Sequence, residues 1–187
     1  MSNAVADPLS CRSVFILGGA RSGKSRYALQ LAERAAPSRL FIATAAPGDE
    51  EMAARIERHR AERGEGWTTL EAPRDLIGAL AQARQGRVAL VDCLTLWLAN
   101  LVFAGDDVAA EVARLCDAVS SCAGPVVFVS NEVGLGIVPE TPLGREFRDW
   151  QGQLNQGMAA ACDAVLLIAA GLPIALKPAS APAITLK

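Results

Sequence analysis

The chain has no C-x-x-C pair, and its five cysteines, Cys11, Cys93, Cys116, Cys122 and Cys162, are odd in number. That excludes a paired disulfide framework and a zinc site built on such spacing; reduced thiols in a cytoplasmic protein are the expectation. Long apolar runs are missing as well. Uncharged stretches such as residues 93–105 and 164–176 fall short of the roughly 18 residues a membrane helix needs, so no membrane span is expected. The first eleven residues carry neither Lys nor Arg nor a sustained apolar run, which argues against a secretory signal. Basic charge is in no excess: 18 Lys plus Arg face 20 Asp plus Glu, a net charge of −2, and nucleic acid is not an expected partner. No internal repeat is visible, and histidine occurs once, at His59.

What remains is a globular balance of 51% hydrophobic and 20% charged residues in 187. That is enough for one domain with a substantial core and too little for two ordinary ones. Apolar runs recur at 13–18, 39–45, 87–94, 125–130 and 164–169. They do not alternate, as expected of parallel strands covered on both faces. The segments 24–36, 49–63, 73–85, 107–122 and 142–162 are of helical length and supply the crossovers. The expected fold is α/β, a P-loop NTPase-type doubly wound, mainly parallel sheet with helices on both faces. Its ligands belong beyond the carboxyl ends of the strands. Residues 1–12 read as a flexible leader, 13–176 as a single nucleotide-binding catalytic domain, and 177–187 as a proline-containing tail or edge strand.

The first run is followed directly by Gly18-Gly19-Ala20-Arg21-Ser22-Gly23-Lys24-Ser25, which satisfies G-x-x-x-x-G-K-[ST]. Glycines at the turns let successive backbone N–H groups face phosphate oxygens. Lys24 is placed to reach the β and γ phosphates of ATP or GTP, and Ser25, at the start of the next helix, to ligate Mg²⁺. Asp92, closing the run Val88-Ala-Leu-Val-Asp92, stands where a second Mg²⁺ ligand belongs.

Three further positions carry possible chemistry. His59 shares a stripe with Met52 and Ile56 on the predicted helix 49–63, with Arg55, Arg60 and Arg63 around it. It reads either as a packed imidazole or as a nucleophile toward phosphorus, forming a phosphoramidate. Glu132, in Asn131-Glu-Val-Gly-Leu-Gly-Ile-Val-Pro-Glu140, is a general base toward a substrate hydroxyl or a group positioning water or metal, while Asn131 and Gly134 could simply shape a loop. Trp67–Glu71 is a short strand, or an edge at which the Glu71 carboxylate accepts guanine N–H groups. Arg145 and Arg148 open a long helix and read first as a solvated face.

Taken together these segments resemble the bifunctional adenosylcobinamide kinase/adenosylcobinamide-phosphate guanylyltransferase family. The resemblance is carried by residues 18–25, Ile42-Ala-Thr44, Glu51-Met-Ala-Ala-Arg-Ile-Glu-Arg-His59, Trp67 with Glu71, Val91-Asp-Cys-Leu-Thr95 with Asn100, and Ser130 through Glu140. It implies a P-loop enzyme that phosphorylates adenosylcobinamide with ATP or GTP. A second reaction then transfers GMP from GTP, through a guanylylated histidine, to the corrinoid phosphate. By the same resemblance His59 is the guanylylated residue. Nucleotide contacts fall on 18–25, Ala43, Thr44, Arg60, Ala61, Glu62, Arg63, Glu71 and Asp92, and the assembly is a homotrimer. Gly64 stands where the family often has proline. A simple small-molecule kinase without a covalent intermediate, or a non-catalytic nucleotide switch, are the competing readings.

Overall fold

A computed structural model describes residues 10–45 and 63–178. Seven strands form one sheet: β1 (Ser13–Gly18), β2 (Ser38–Ala43), β3 (Trp67–Glu71), β4 (Arg87–Asp92), β5 (Val126–Asn131), β6 (Ala164–Ala169) and β7 (Leu172–Lys177). Their order is β3-β2-β4-β5-β1-β6-β7. All pairings are parallel except β6 with β7. The described helices are α1 (Lys24–Ala35), α2 (Leu76–Leu80), α3 (Leu94–Ala104), α4 (Val108–Ser121) and α5 (Pro142–Ala161).

Continuous apolar strands reflect burial of both sheet faces. Phe15 and Leu17 join the core that includes Trp97, Leu98, Leu115, Leu154 and Met158 of the helices α3, α4 and α5. Ile16 points the other way, into a smaller core with Ala28 and Ala32 of α1, Phe41, Leu90 and Val129. Alternating side chains thus serve opposite layers. Helix α1 buries Lys24, Ala28 and Ala32, one every four residues, and the two alanines let its axis lie close to the sheet.

Several expectations need correction. The segment 93–105, noted only as an uncharged stretch, is largely helix α3, which buries Leu94, Trp97, Leu98 and Leu101. The helix expected over 73–85 is the single turn and a half of α2. The Asp75 carboxylate caps it by accepting from Gly78 N–H at 2.9 Å, and the chain then turns through Gly86 at φ 76° into β4. Arg12, assigned to a leader, is fastened: its backbone N–H donates to Asp163 at 2.8 Å and its guanidinium to the Cys122 carbonyl at 2.6 Å. Of the two alternatives for the chain after Gly171, a tail or an edge strand, residues Leu172–Lys177 take the edge strand, β7. The Lys177 ammonium donates to the carbonyls of Ala159, Ala160 and Cys162, at the end of α5. The predicted helix 49–63, apart from Arg63, lies outside the described residues. No described helix is long and apolar enough to cross a membrane.

Candidate active site

The carboxyl ends of β1, β5 and β4 form the centre of the site. Gly18 and Asn131 are register partners in adjacent parallel strands, and Glu132 N–H donates to the Gly18 carbonyl at 3.2 Å. The glycine loop and the Asn131-Glu132 dipeptide are therefore side by side. Asp92 ends β4 on the far side of β5, level with Val129. Two strand spacings, about 10 Å, separate its strand from β1.

The loop itself folds as its sequence requires. Arg21 at φ 55° and Gly23 at φ 96° are both left-handed, a pattern that turns neighbouring N–H groups toward one concavity. A methyl group at Gly18 would collide with the Ser22 hydroxyl and sit 2.8 Å from the Ile168 carbonyl. Lys24 is 8% exposed, and its ammonium donates back to the Gly19 carbonyl at 3.1 Å. Ser25 follows it, half-buried. The β6–β7 hairpin props the loop from below: Gly171 N–H donates to the Ser22 carbonyl at 2.9 Å. Ala170 at φ 52° and Gly171 at φ 81° make the tight two-residue turn that brings it there. Sequence reading gave this turn no role, and Gly171 between two apolar runs was the available signal.

Behind Asp92, Cys93 records the local electrostatics. Burial and, next, the Asp92 carboxylate push its thiol up to about 11, against lowering by the Leu96 backbone and the Lys24 ammonium. Cys93 stays a neutral thiol and offers no thiolate. Ser25 and Asp92 are a hydroxyl and a carboxylate, oxygen donors that suit Mg²⁺. Among the described residues no group of three His, Cys, Asp or Glu could hold a metal on its own. A cation here would complete its shell with phosphate and water oxygens, as Mg²⁺ on nucleotides does.

Thr44, expected to touch nucleotide, is fully buried. Its hydroxyl donates to the Cys93 carbonyl at 2.7 Å and accepts from Cys93 N–H at 2.8 Å. Asn100 donates to the Thr44 and Pro73 carbonyls, both at 2.8 Å. The side chain of Thr44 therefore clasps the end of β2 to that of β4. Ala43 pairs with both Asp92 and Glu71 across the strand ends. Glu71 is exposed at the end of edge strand β3, four strand spacings or about 19 Å from the β1 axis. A nucleotide touching both Glu71 and Lys24 would lie across the strand ends. Arg63 stacks its guanidinium 3.8 Å from the centre of the Phe41 ring and donates to Thr69 at 3.4 Å. His59, Arg60, Ala61 and Glu62 lie outside the described residues.

Glu132 is tied at both oxygens: Oε1 accepts from Gly134 N–H at 2.6 Å and Oε2 from Asn155 at 3.4 Å. Beyond it the chain presents Leu135, 86% exposed, and Ile137, 97% exposed. Arg145 donates to the Pro139 and Glu140 carbonyls at 3.0 and 2.8 Å, so it anchors this loop and is no idle surface charge. Gln151 and Asn155, both buried beside Ser130, were missed by sequence reading. The spacing of two amides at i, i+4 on the apolar face of α5 was their signal.

Known proteins resemble this chain in sequence and in fold. Residues 14–176 match the family described as cobinamide kinase/cobinamide phosphate guanyltransferase. The chain is 47% identical over 165 residues to the bifunctional adenosylcobalamin biosynthesis protein CobP of Pseudomonas aeruginosa, covering 87% of this chain and 95% of that one. It is 41% identical over 180 residues to the bifunctional adenosylcobalamin biosynthesis protein CobU of Escherichia coli, covering 88% and 99%. Among solved structures it resembles the type III secretion ATPase EscN of enteropathogenic E. coli, with TM-score 0.53 and 10% identity over 86% of this chain and 43% of EscN. The RadB recombinase gives TM-score 0.50 and 16% identity, over 83% of this chain and 73% of that one. These two likenesses show the P-loop ATPase fold and nothing more. By sequence over nearly its whole length, the chain belongs to the cobinamide kinase/cobinamide phosphate guanyltransferase family.

Proposed function

We propose that this protein phosphorylates adenosylcobinamide on its aminopropanol hydroxyl with ATP or GTP, and then converts the product to adenosylcobinamide-GDP through a guanylylated His59. The observation that carries the kinase half is the pairing of Gly18 with Asn131, which sets Glu132 beside the phosphate loop. Loop N–H groups and Lys24 hold the β and γ phosphates, and Ser25 and Asp92 would hold Mg²⁺. That ion, when bound, neutralises phosphate charge and orients the chain of phosphates. Glu132 takes the proton of the acceptor hydroxyl as its oxygen bonds to the γ phosphorus and the nucleoside diphosphate leaves. The exposed Leu135 and Ile137 next to Glu132 give a large acceptor an apolar surface to rest on.

In the second half, a ring nitrogen of His59 attacks the α phosphorus of GTP and pyrophosphate departs. The corrinoid phosphate then displaces the imidazole from phosphorus, restoring His59. In sequence His59 falls between Thr44 and Glu71, well apart from residues 18–25, which supports a nucleophile separate from the loop that grips β and γ. Arg60, Ala61, Glu62, Arg63 and Glu71 are assigned to the guanylyl group on the same reading, within a homotrimer in the cytoplasm.

Incubation with adenosylcobinamide and GTP, followed by mass spectrometry of the products, tests the whole. The expected products are adenosylcobinamide-GDP and pyrophosphate. Product ending at the phosphate ester would leave a simple kinase, and nucleotide hydrolysis indifferent to cobinamide would leave a switch.

A further inference from the structure

Helix α5 sends two amides into the interior directly behind the site. Gln151 is fully buried and Asn155 6% exposed. Buried amides in an otherwise apolar helix face are unfavourable unless they find partners. Here both amide NH2 groups and the Asn155 oxygen are paired in one connected set, while Gln151 Oε1 has no partner. Gln151 Nε2 donates to Ser130 Oγ and to Asn155 Oδ1, both at 3.0 Å. Ser130 Oγ donates to the same Oδ1 at 3.0 Å. With its oxygen fixed from two sides, Asn155 has one orientation, and its Nδ2 then points at the end of β5. There it donates to the Asn131 carbonyl at 3.1 Å and to Glu132 Oε2 at 3.4 Å.

A second clamp on the same dipeptide comes from α3, which packs with α5 on the same face of the sheet. Thr95, three residues beyond Asp92 at the start of α3, accepts from Asn131 N–H at 2.9 Å and lies 3.4 Å from Ser130 Oγ. The peptide groups flanking Asn131 are thus gripped by α3 and by α5, and the Glu132 carboxylate is steered by the amide of Asn155 and the N–H of Gly134. At Asn131 the ladder to β1 continues but that to β4 has ended at Val129, so Thr95 and Asn155 stand in for the backbone partners β4 no longer supplies. The contact to Glu132 Oε2 goes beyond that. What it adds is the direction of one carboxylate.

From this juxtaposition we propose that Asn155, oriented by Gln151 and Ser130, is a positioning residue for Glu132 in the phosphoryl-transfer step. The proposal rests on the reading of Glu132 as the base that receives the acceptor's hydroxyl proton. A general base works only when held within hydrogen-bond reach of that proton, and a displacement of about 1 Å costs on the order of 100-fold in rate. Asn155 acts through Glu132 and does not itself meet the substrate.

The test is a double-mutant cycle on the full chain with adenosylcobinamide as acceptor and γ-labelled GTP as donor. Asn155→Leu, Glu132→Gln and their combination are compared with the parent. Each kcat is expressed per nucleotide-binding site, counted by titration with a fluorescent GTP analogue so that misfolded protein drops out. Asn155→Leu is expected to lower kcat about 10- to 100-fold with the acceptor KM within about threefold. In the Glu132→Gln background it is expected to cost less than about twofold more, since the group it aims is already gone. Asn155→Asp keeps the oxygen that Ser130 and Gln151 hold and removes the donor, so it is the second variant should Asn155→Leu fail to fold. The same kcat loss is expected of it.

Equal losses in both backgrounds, or a full kcat in Asn155→Asp, would overturn the positioning role while leaving the Glu132 reading intact. Full activity in Glu132→Gln alone would overturn the base and the positioning role with it.

Discussion

Lys24 shows how much of the site depends on single side chains. Its ammonium donates to the Gly19 carbonyl, inside the loop whose left-handed residues turn N–H groups toward one concavity, and on the proposed reading it would donate to the β and γ phosphates of a bound nucleotide. Lys24→Met is expected to lower the cobinamide phosphorylation rate about 100- to 1,000-fold, measured with γ-labelled nucleotide, while the thermal transition stays near that of the parent. Thr44 is the contrary case, a site residue whose side chain is structural. Thr44→Val leaves the Cys93 N–H and carbonyl without the partner the hydroxyl provides, and urea unfolding is expected to show a loss of about 1–3 kcal/mol. The glycine loop and the strand end at Asp92 were legible in the sequence because each is a local pattern, a G-x-x-x-x-G-K-[ST] spacing after an apolar run and an apolar run closed by a carboxylate. The clasp of Thr44 on Cys93 was not, because 49 residues separate the partners and nothing local marks them.

At the scale of elements, legibility followed contrast. Helices α4 and α5 begin and end within one residue of the segments read for them, since each has a polar and an apolar face and a capping side chain, Asp107 and Thr141. Helix α3 was overlooked because it is apolar nearly all round, and a helix without a polar face shows no 3.6-residue period to read. The ends of the sheet are tied by two latches whose worth can be measured. Lys177 donates to three carbonyls at the end of α5, where the helix dipole favours a cation; Lys177→Met is expected to lower stability by about 1–2 kcal/mol in urea. Asp163 accepts from the backbone N–H groups of Arg12 and Ser13, which hold its carboxyl below the ordinary 3.8. The folded state therefore binds this proton less readily than the unfolded chain. The stability it contributes is complete above that ordinary value and fades as pH falls through the lower folded one. Asp163→Asn should accordingly be less stable than the parent near neutrality, and the difference in urea midpoint should close as both are taken to lower pH.

For the molecule as a whole, the sequence announced parallel strands and buried faces but could not announce their order. The insertion of β5 between β1 and β4 is what makes Glu132 a neighbour of the phosphate loop, and it is decided by long-range packing of two cores on opposite sheet faces. Burial also sets the thiol chemistry of the domain: Cys93 and Cys162 are pushed up to about 11 and about 12. Brief exposure of the native protein to iodoacetamide at pH 8, followed by peptide mass spectrometry, should leave both unmodified, and prior denaturation should make both react.

The account turns most heavily on His59. The most direct measurement is to mix the protein with GTP labelled at either the α or the γ phosphate, denature it, and count label retained on the chain. The account predicts retained α label, no retained γ label, acid lability of the bond, and loss of all of it in His59→Ala. Absence of covalent α label in the parent protein, or its survival in His59→Ala, would contradict it.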